Sequence, residues 1–481
     1  MWWEDAVVYQ VYPRSFQDSD GDGVGDLPGI VARLDHVEAL GVDALWLSPI
    51  YPSPLADFGY DITDHTAVDP VYGTLDDLDA LVAAAHGRGL RLLMDLVPCH
   101  TSIEHPWFRE HPEYYVWADG DEPPNNWIAS FGGPAWTRDE RTGRWYLHSF
   151  YPEQPDLNWR NPDVVAAMQG VVRFWLDRGV DGFRIDAIDR LLKDPDLRDD
   201  PPAGAPPPLP LMDEYATLEH LYSVNAPDIE TALSALREAA GDAFLVGEVY
   251  LPTASLAPYL RHLDAAFCFE LLHAPPDVRA LRAVLEAALE LDGCAWVLSN
   301  HDFGRLATHF GRERERVAML LLLTLPGVSF LYQGDEIGMR EGPGHDPPLD
   351  RAGRDRTRHP MQWDGTPMGG FTTGAPWLPV VDAPERNVAA QSGDPASTLA
   401  LARAAIALRG ELGGDARFLD AADGVLAFQR RSGHVIALNF TGEPRPAPPA
   451  GELRLATHGS ASGSAPAELA PYAGFVALPA R

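Results

Sequence analysis

Residues 74–100 read TLDDLDALVAAAHGRGLRLLMDLVPCH. The first half is an amphipathic helical stretch and the second a short, almost continuously apolar run, joined by glycines. The same unit recurs on both sides. VVYQVYPRSF (7–16) is followed by GIVARLDHVEALG (29–41), VDALWLSPI (42–50) by the quoted helix, and RLLMDLVPCH (91–100) eventually by NPDVVAAMQGVVRFWLDRG (161–179). The rhythm continues through DGFRIDAI (181–188), AFLVGEVY (243–250), DAAFCFELL (264–272), WVLSNHD (296–302) and VSFLYQGDEIG (328–338). Apolar runs alternating with helices predict a parallel sheet covered by helices. Eight such runs predict a closed (β/α)8 barrel.

Two intervals break the pattern. Residues 101–160 are rich in Trp, Tyr, Pro and Asn, as in NNWIASFGGPAW (125–136) and WYLHSFYPEQPDLNW (145–159), and carry no helical period. They are expected to form a small subdomain inserted after the third strand and overhanging the barrel mouth. After the last helix, DPASTLALARAAIALRGEL (394–412), short runs such as GVLAFQRRSG (424–433) and HVIALNF (434–440) read as antiparallel strands. The predicted organisation is a barrel over 1–100 and 161–412, an insertion over 101–160, and a C-terminal β-sandwich-like domain over 413–481. PPAGAPPPLP (201–210) reads as a long surface loop.

Composition narrows the partners. Seventy acidic residues against 37 basic ones give a net charge of -33, which repels nucleic acid and points to a neutral or cationic ligand. No segment reaches the ~20 apolar residues of a membrane span, so a soluble, cytoplasmic protein without a membrane partner is expected. Cys99, Cys268 and Cys294 are widely spaced in apolar runs and read as reduced core thiols. Oligomeric state is left open.

In such a barrel, chemistry sits at the C-terminal ends of the strands. There the third run carries Asp95 and His100, the fourth Arg184 and Asp186, the fifth Glu248, and the seventh His301 and Asp302. One strand-end carboxylate can be an innocent helix cap or ion-pair partner. Four of them with two histidines and an arginine on converging strands form a costly arrangement for structure alone, because buried like charges repel.

DLVPCH (95–100), GFRIDAI (182–188), GEVY (247–250) and SNHD (299–302) resemble, in order and spacing, the four motifs of the α-amylase superfamily of glycoside hydrolases, glycoside hydrolase family 13. QPDLNW (154–159) and HPMQWDG (359–365) extend the likeness over nearly the whole chain, and it is strongest to the α-glucosidase and oligo-1,6-glucosidase group. A departure is Pro98-Cys99, where many relatives carry another residue followed by Asn. The resemblance implies a retaining mechanism with Asp186 as nucleophile, Glu248 as general acid and base, and Asp302 as the carboxylate that holds sugar hydroxyls. Arg184, two residues before Asp186 on the same strand face, is expected to keep the nucleophile ionised. His100 and His301 are expected to donate to sugar hydroxyls, and Tyr60 and Phe150 to line the sugar site. Asp61, in DFGYDITDH (57–65), is expected to pair with Arg386, in ERNVAAQ (385–391), and to close the pocket beyond the first sugar; a surface ion pair is the alternative.

The implied enzyme removes single glucose units from short α-glucosides. Ala187, where α-1,6-specific relatives typically carry valine, leans towards α-1,4 linkages such as maltose, at a discrimination of only about 1 to 3 kcal/mol. Transglucosylation or sucrose/maltose isomerisation on the same site is the nearest enzymatic alternative, since a covalent glucosyl intermediate can be intercepted by water or by a sugar hydroxyl. A non-catalytic transporter-subunit relative is the alternative of another class; the three carboxylates speak against it. DSDGDGVGD (18–26) begins like an EF-hand loop but has Gly29 where the bidentate Glu belongs. It resembles the metal loop of oligo-1,6-glucosidase-like enzymes, which implies structural Ca²⁺, or Mg²⁺, on Asp18, Asp20, Asp22, Asp26 and the Val24 carbonyl. A solvated acidic turn is the other reading.

Overall fold

The computed structural model describes residues 1–204, 209, 212–459 and 463–480. Eight strands close into a parallel barrel in sequence order: β1 (Val7–Val11), β2 (Ala44–Leu47), β3 (Arg91–Leu96), β4 (Gly182–Ile185), β5 (Phe244–Gly247), β6 (Ala265–Phe267), β7 (Cys294–Val297) and β8 (Ser329–Tyr332). β1 pairs with β8 through Val7–Ser329 and with β2 through Val8–Ala44, which completes the ring. The runs are buried on both faces, so their apolar character is continuous rather than alternating. Alternate residues still part company. Val8, Trp46, Leu93, Val246, Phe267 and Phe330 fill the barrel interior, whereas Val7, Tyr9, Leu45 and Leu92 face the helices.

The helices begin where the sequence supplies caps. In α1 (Leu27–Leu40) the Asp26 carboxylate accepts from Gly29 N at 2.6 Å, and Gly41, at φ +80°, ends the helix in a conformation suited to glycine. In α2 (Leu75–His86) Thr74 and Asp77 form a reciprocal capping box, and Leu78, Leu81, Val82 and Ala85 pack inward. α3 (Pro162–Asp177), α4 (Glu230–Ala240) and α5 (Val278–Ala288) continue the outer layer. α6 (Glu315–Thr324) is buried at every residue but Arg316 beneath α7 (Thr398–Leu412) and a C-terminal sheet.

Between β3 and β4, a three-stranded sheet joins Trp117–Ala118, Trp145–Leu147 and Trp136–Arg138 around a small core that includes Trp127 and Trp136. It is tied to the barrel by the bridge His100–Asp156 and by Lys193, whose ammonium pairs with Asp156. After α7, five antiparallel strands stand in the order Ala416–Phe418, Val425–Arg430, Val435–Asn439, Gly474–Ala477 and Leu453–Ala456, beside a two-stranded pair, Arg445–Pro446 with Glu468–Leu469. Much of the Pro-rich stretch 201–210 lies outside the described residues. No helix among the described residues is long and apolar enough to cross a membrane, and all three cysteines are buried and unpaired.

Candidate active site

β3 and β4 align so that Asp95 stands directly beside Arg184. One residue past β4, Asp186 N extends the ladder to Leu96 O at 2.8 Å, and Glu248 N past β5 does the same to Ile185 O at 2.8 Å. Barrel register therefore delivers three carboxylates to one guanidinium. Arg184 Nη1 reaches Asp95 Oδ1 at 2.8 Å and Asp186 Oδ1 at 2.5 Å, and its Nη2 reaches Glu248 Oε1 at 2.8 Å. The chain then turns sharply: Ala187 sits at φ +42°, a left-handed conformation, and its N–H donates to Glu248 Oε2 at 3.1 Å.

One buried cation cannot neutralise three carboxylates, and their proton affinities rise. Burial pushes Glu248 up to about 8, against Arg184 and with help from Asp186 and Asp302. Burial pushes Asp186 and Asp95 up to about 7 in spite of Arg184. Arg184 favours the ionised form of Asp186 as expected, but its charge is shared among three carboxylates, and burial makes the net direction for Asp186 upward. Asp302 goes the other way. Burial opposes its ionisation, but the Arg354 and Arg358 guanidinium groups, joined by His301 only when its imidazole is protonated, outweigh it and hold the carboxyl well below its usual range. Arg354 Nη1 lies 3.1 Å and Arg358 Nη2 3.0 Å from Asp302 Oδ1.

These groups open onto a cavity of about 500 Å³, lined among others by Tyr60, His100, Phe150, Asp186, Ala187, Glu248 and Asp302. His100 Nε2 lies 3.2 Å from Tyr60 O and 2.9 Å from Gln154 Nε2, and its ring meets the Phe150 ring edge-on at 5.2 Å. His301 stands behind the wall and not in it. Fully buried, it stacks on Tyr60 with Nε2 2.6 Å from the Tyr60 hydroxyl, and its Nδ1 is 2.8 Å from Gln10 Nε2. Burial pushes its imidazole down to about 3, so it is neutral.

The expected Asp61–Arg386 pair does not form. Asp61 is wholly buried and accepts from Ser53 Oγ at 2.7 Å, Ala56 N at 2.8 Å and Asp57 N at 3.0 Å; it holds a loop. Arg386 pairs with Glu315 at 2.9 Å and donates to Gly338 O, underneath the β8 turn. The charges that meet at the cavity are Asp57, four residues earlier in the same motif, and Arg354, whose guanidinium bridges Asp57, Asp302 and Asp350. Two signals were available: Asp57 opens the quoted DFGYDITDH, and DRAGRDRTRHP (350–360) packs four arginines into a strongly acidic chain.

In the acidic loop, Asp18, Asp20 and Asp22 bring carboxylate oxygens within 4.8 Å of one another. Asp26 is engaged elsewhere, capping α1 and accepting from Ser19 N at 2.9 Å, and the Val24 amide donates to Asp22 at 2.7 Å. Asp18 also binds the Thr372 hydroxyl and accepts from Gly21 N and Gly23 N. Gly21 and Gly23 lie at φ +89° and +94°, and a Cβ on Gly23 would meet Ala375 O at 1.9 Å.

A closed barrel whose strand ends carry a proton-holding glutamate, a second carboxylate on the same guanidinium and a third kept ionised defines a carbohydrate-cleaving barrel enzyme. The model of the α-amylase catalytic domain matches residues 10–413. A probable α-glucosidase of Rhizobium meliloti (strain 1021) is 41% identical over 90% of this chain and 88% of its own. An oligo-1,6-glucosidase of Parageobacillus thermoglucosidasius is 38% identical over 85% and 84%. Among solved structures, the α-glucosyl transfer enzyme XgtA superposes with a TM-score of 0.91 at 39% identity, covering 99% of both chains. The chain belongs to the α-amylase family of glycoside hydrolases, glycoside hydrolase family 13.

Proposed function

We propose that the protein is a retaining, exo-acting α-glucosidase of small α-glucosides, with transfer to sugar hydroxyls as its side reaction. The observation that carries this is the arrangement of two guanidinium groups: Arg184 holds Asp186 and Glu248 together, and Arg354 ties Asp57 to Asp302 in the wall of the same cavity. A bridged wall of this kind suits one terminal glucose rather than a through-running chain. Ionised Asp186 attacks the anomeric carbon while protonated Glu248 donates to the departing glycosidic oxygen, giving a covalent β-glucosyl intermediate. Glu248, now a carboxylate, takes the proton from water, or from a sugar hydroxyl in transfer, and the second displacement restores the α-anomer. Asp302, held ionised, binds the sugar hydroxyls and favours the oxocarbenium-like transition state.

Ala187 lines the cavity beside Glu248 without the bulk of valine, in keeping with α-1,4 donors such as maltose. The likeness to α-glucosidase and oligo-1,6-glucosidase relatives supports the glucosidase reading, and that to the α-glucosyl transfer enzyme XgtA supports transfer. Asp18, Asp20 and Asp22, a hard-oxygen set, would hold Ca²⁺ or Mg²⁺, with the Val24 carbonyl as a further ligand; the ion would neutralise the loop and take no part in the chemistry. Unpaired buried thiols suit a reducing, cytoplasmic setting.

The test is a proton NMR time course with maltose. Early α-glucose is the expected product, with new glycosidic signals at high maltose. Early β-glucose, or no turnover of maltose and other α-glucosides, would overturn the reading.

A further inference from the structure

The cavity is larger than one glucose needs, and its remaining wall has its own composition. Arg190, Tyr215, Phe131, Met212, Tyr250 and Phe303 line it, and all but Arg190 are aromatic or thioether side chains. Arg190 lies one tight turn beyond Ala187, with its N–H on Ala187 O at 3.0 Å, and lines the same cavity as the general acid Glu248, which faces the leaving group.

Arg190 is a buried cation without an ion pair among the described residues. Its guanidinium carbon lies 5.4 Å from the Phe150 ring and 5.3 Å from the Tyr215 ring, and Nη1 donates to the Tyr215 hydroxyl at 2.8 Å. Its other nitrogens have no acceptor among the described residues, yet none of them is among the side-chain atoms sealed away from solvent without a partner. Arg190 lines the cavity, and it also borders a small separate space shared with Lys193 and Ser223. The neighbouring Asp189 carboxylate is fully buried and meets no side-chain donor, so the Arg190 charge is locally balanced without being bonded.

We propose that Arg190 is the specificity-determining residue that selects a neutral, hydroxylated ring, a sugar, as the leaving group in cleavage and as the acceptor in transfer. The inference rests on the α-glucosidase reading above. A planar fork offers parallel N–H donors that suit a pair of adjacent hydroxyls, and the flanking rings take the apolar face of a pyranose. An anionic ring fits worse: Asp57, Asp186, Asp189, Glu248 and Asp302 line the same cavity, against two arginines, 190 and 354, and the histidines 100 and 273, whose imidazoles burial pushes down.

The experiment compares two donors on the full chain and on the variants Arg190→Met and Arg190→Lys. Maltose leaves as a sugar; α-glucosyl fluoride delivers the same glucosyl group with a leaving atom that cannot reach Arg190. Arg190→Met is expected to lower kcat/KM for maltose about ten- to a hundredfold, the loss of hydrogen bonds to a charged group, and to reduce transfer to added glucose. α-Glucosyl fluoride is expected to react with little change, and Arg190→Lys to fall between on maltose. Equal losses on both donors would reduce Arg190 to a packing residue and overturn the proposal. So would an unchanged maltose rate, or a wild-type preference for 6-phosphorylated over plain disaccharide that is lost in Arg190→Met. If Arg190→Met fails to fold, Arg190→Lys carries the same comparison. A wild-type protein that turns over neither donor refutes the glucosidase reading itself, a result separate from any of these.

Discussion

At the scale of single residues, the site works by distributing protons unequally over like carboxylates. Asp302 lies against two guanidinium groups, Arg358 and an Arg354 that it shares with Asp57 and Asp350, whereas Asp95, Asp186 and Glu248 divide one guanidinium. Catalysis needs Asp186 ionised and Glu248 protonated. With Asp186 pushed up to about 7 and Glu248 to about 8, kcat/KM for maltose is expected to follow a narrow bell. It rises as pH passes through the first value, because the nucleophile loses its proton, and falls through the second, because the acid loses its own; the pair titrates together, so both limbs belong to it jointly. A plateau extending down to about pH 5 would show that substrate-free burial does not set the limbs. The same scale explains what the sequence could not tell. Motif order brought out Asp186, Glu248 and Asp302, but DFGYDITDH offers two aspartates, and choosing between Asp57 and Asp61 depends on a loop in which Phe58 sits at φ +44° and turns the first towards the cavity and the second inward.

At the scale of elements, the acidic loop and a distant segment are one structure. Asp18 N binds Phe371 O at 3.0 Å, Asp18 binds the Thr372 hydroxyl, and Trp377 N binds Gly23 O at 2.9 Å. Trp377 in turn packs against Phe58, with rings 5.8 Å apart, under the Arg14 guanidinium. A cation on Asp18, Asp20 and Asp22 would thus stabilise the native state by mass action and brace the loop that carries Asp57. Chelation is expected to lower Tm by several degrees, while kcat at moderate temperature changes little; an unchanged Tm, with no response to added Ca²⁺, would leave the loop an acidic turn held by its own hydrogen bonds. The barrel strands and helices were legible because each rests on local periodicity and caps. The junction of residues 18–26 with 371–377 was not, because nothing local in either stretch encodes the other.

At the scale of the whole molecule, two buried arginines seat the C-terminal sheet on the base of the barrel. Arg430 donates to Thr324 O at 2.5 Å, to Asp5 Oδ1 at 3.2 Å and to Gly413 O, and Arg409 donates to Asp5 O at 2.6 Å, Leu323 O at 2.9 Å and Gly327 O. Burial lowers the proton affinity of both, and the Asp5 carboxylate offsets part of it. Arg430→Met would leave those acceptors and Asp5 without their cation, and is expected to cost about 3 kcal/mol of stability. Thermal or denaturant unfolding checks this; a loss of under about 0.5 kcal/mol would show that water replaces the guanidinium freely.

The bridge from Asp57 through Arg354 to Asp302 governs traffic as well as recognition. With that wall shut, whatever occupies the glucose position has one way in and the same way out. The leaving group must depart first, the glucosyl unit must wait for water or an acceptor to come in behind it, and free glucose is the last species to go. Such a site cannot slide along a polymer: each cleavage ends in complete release, and accumulating glucose stands in the doorway of the next donor.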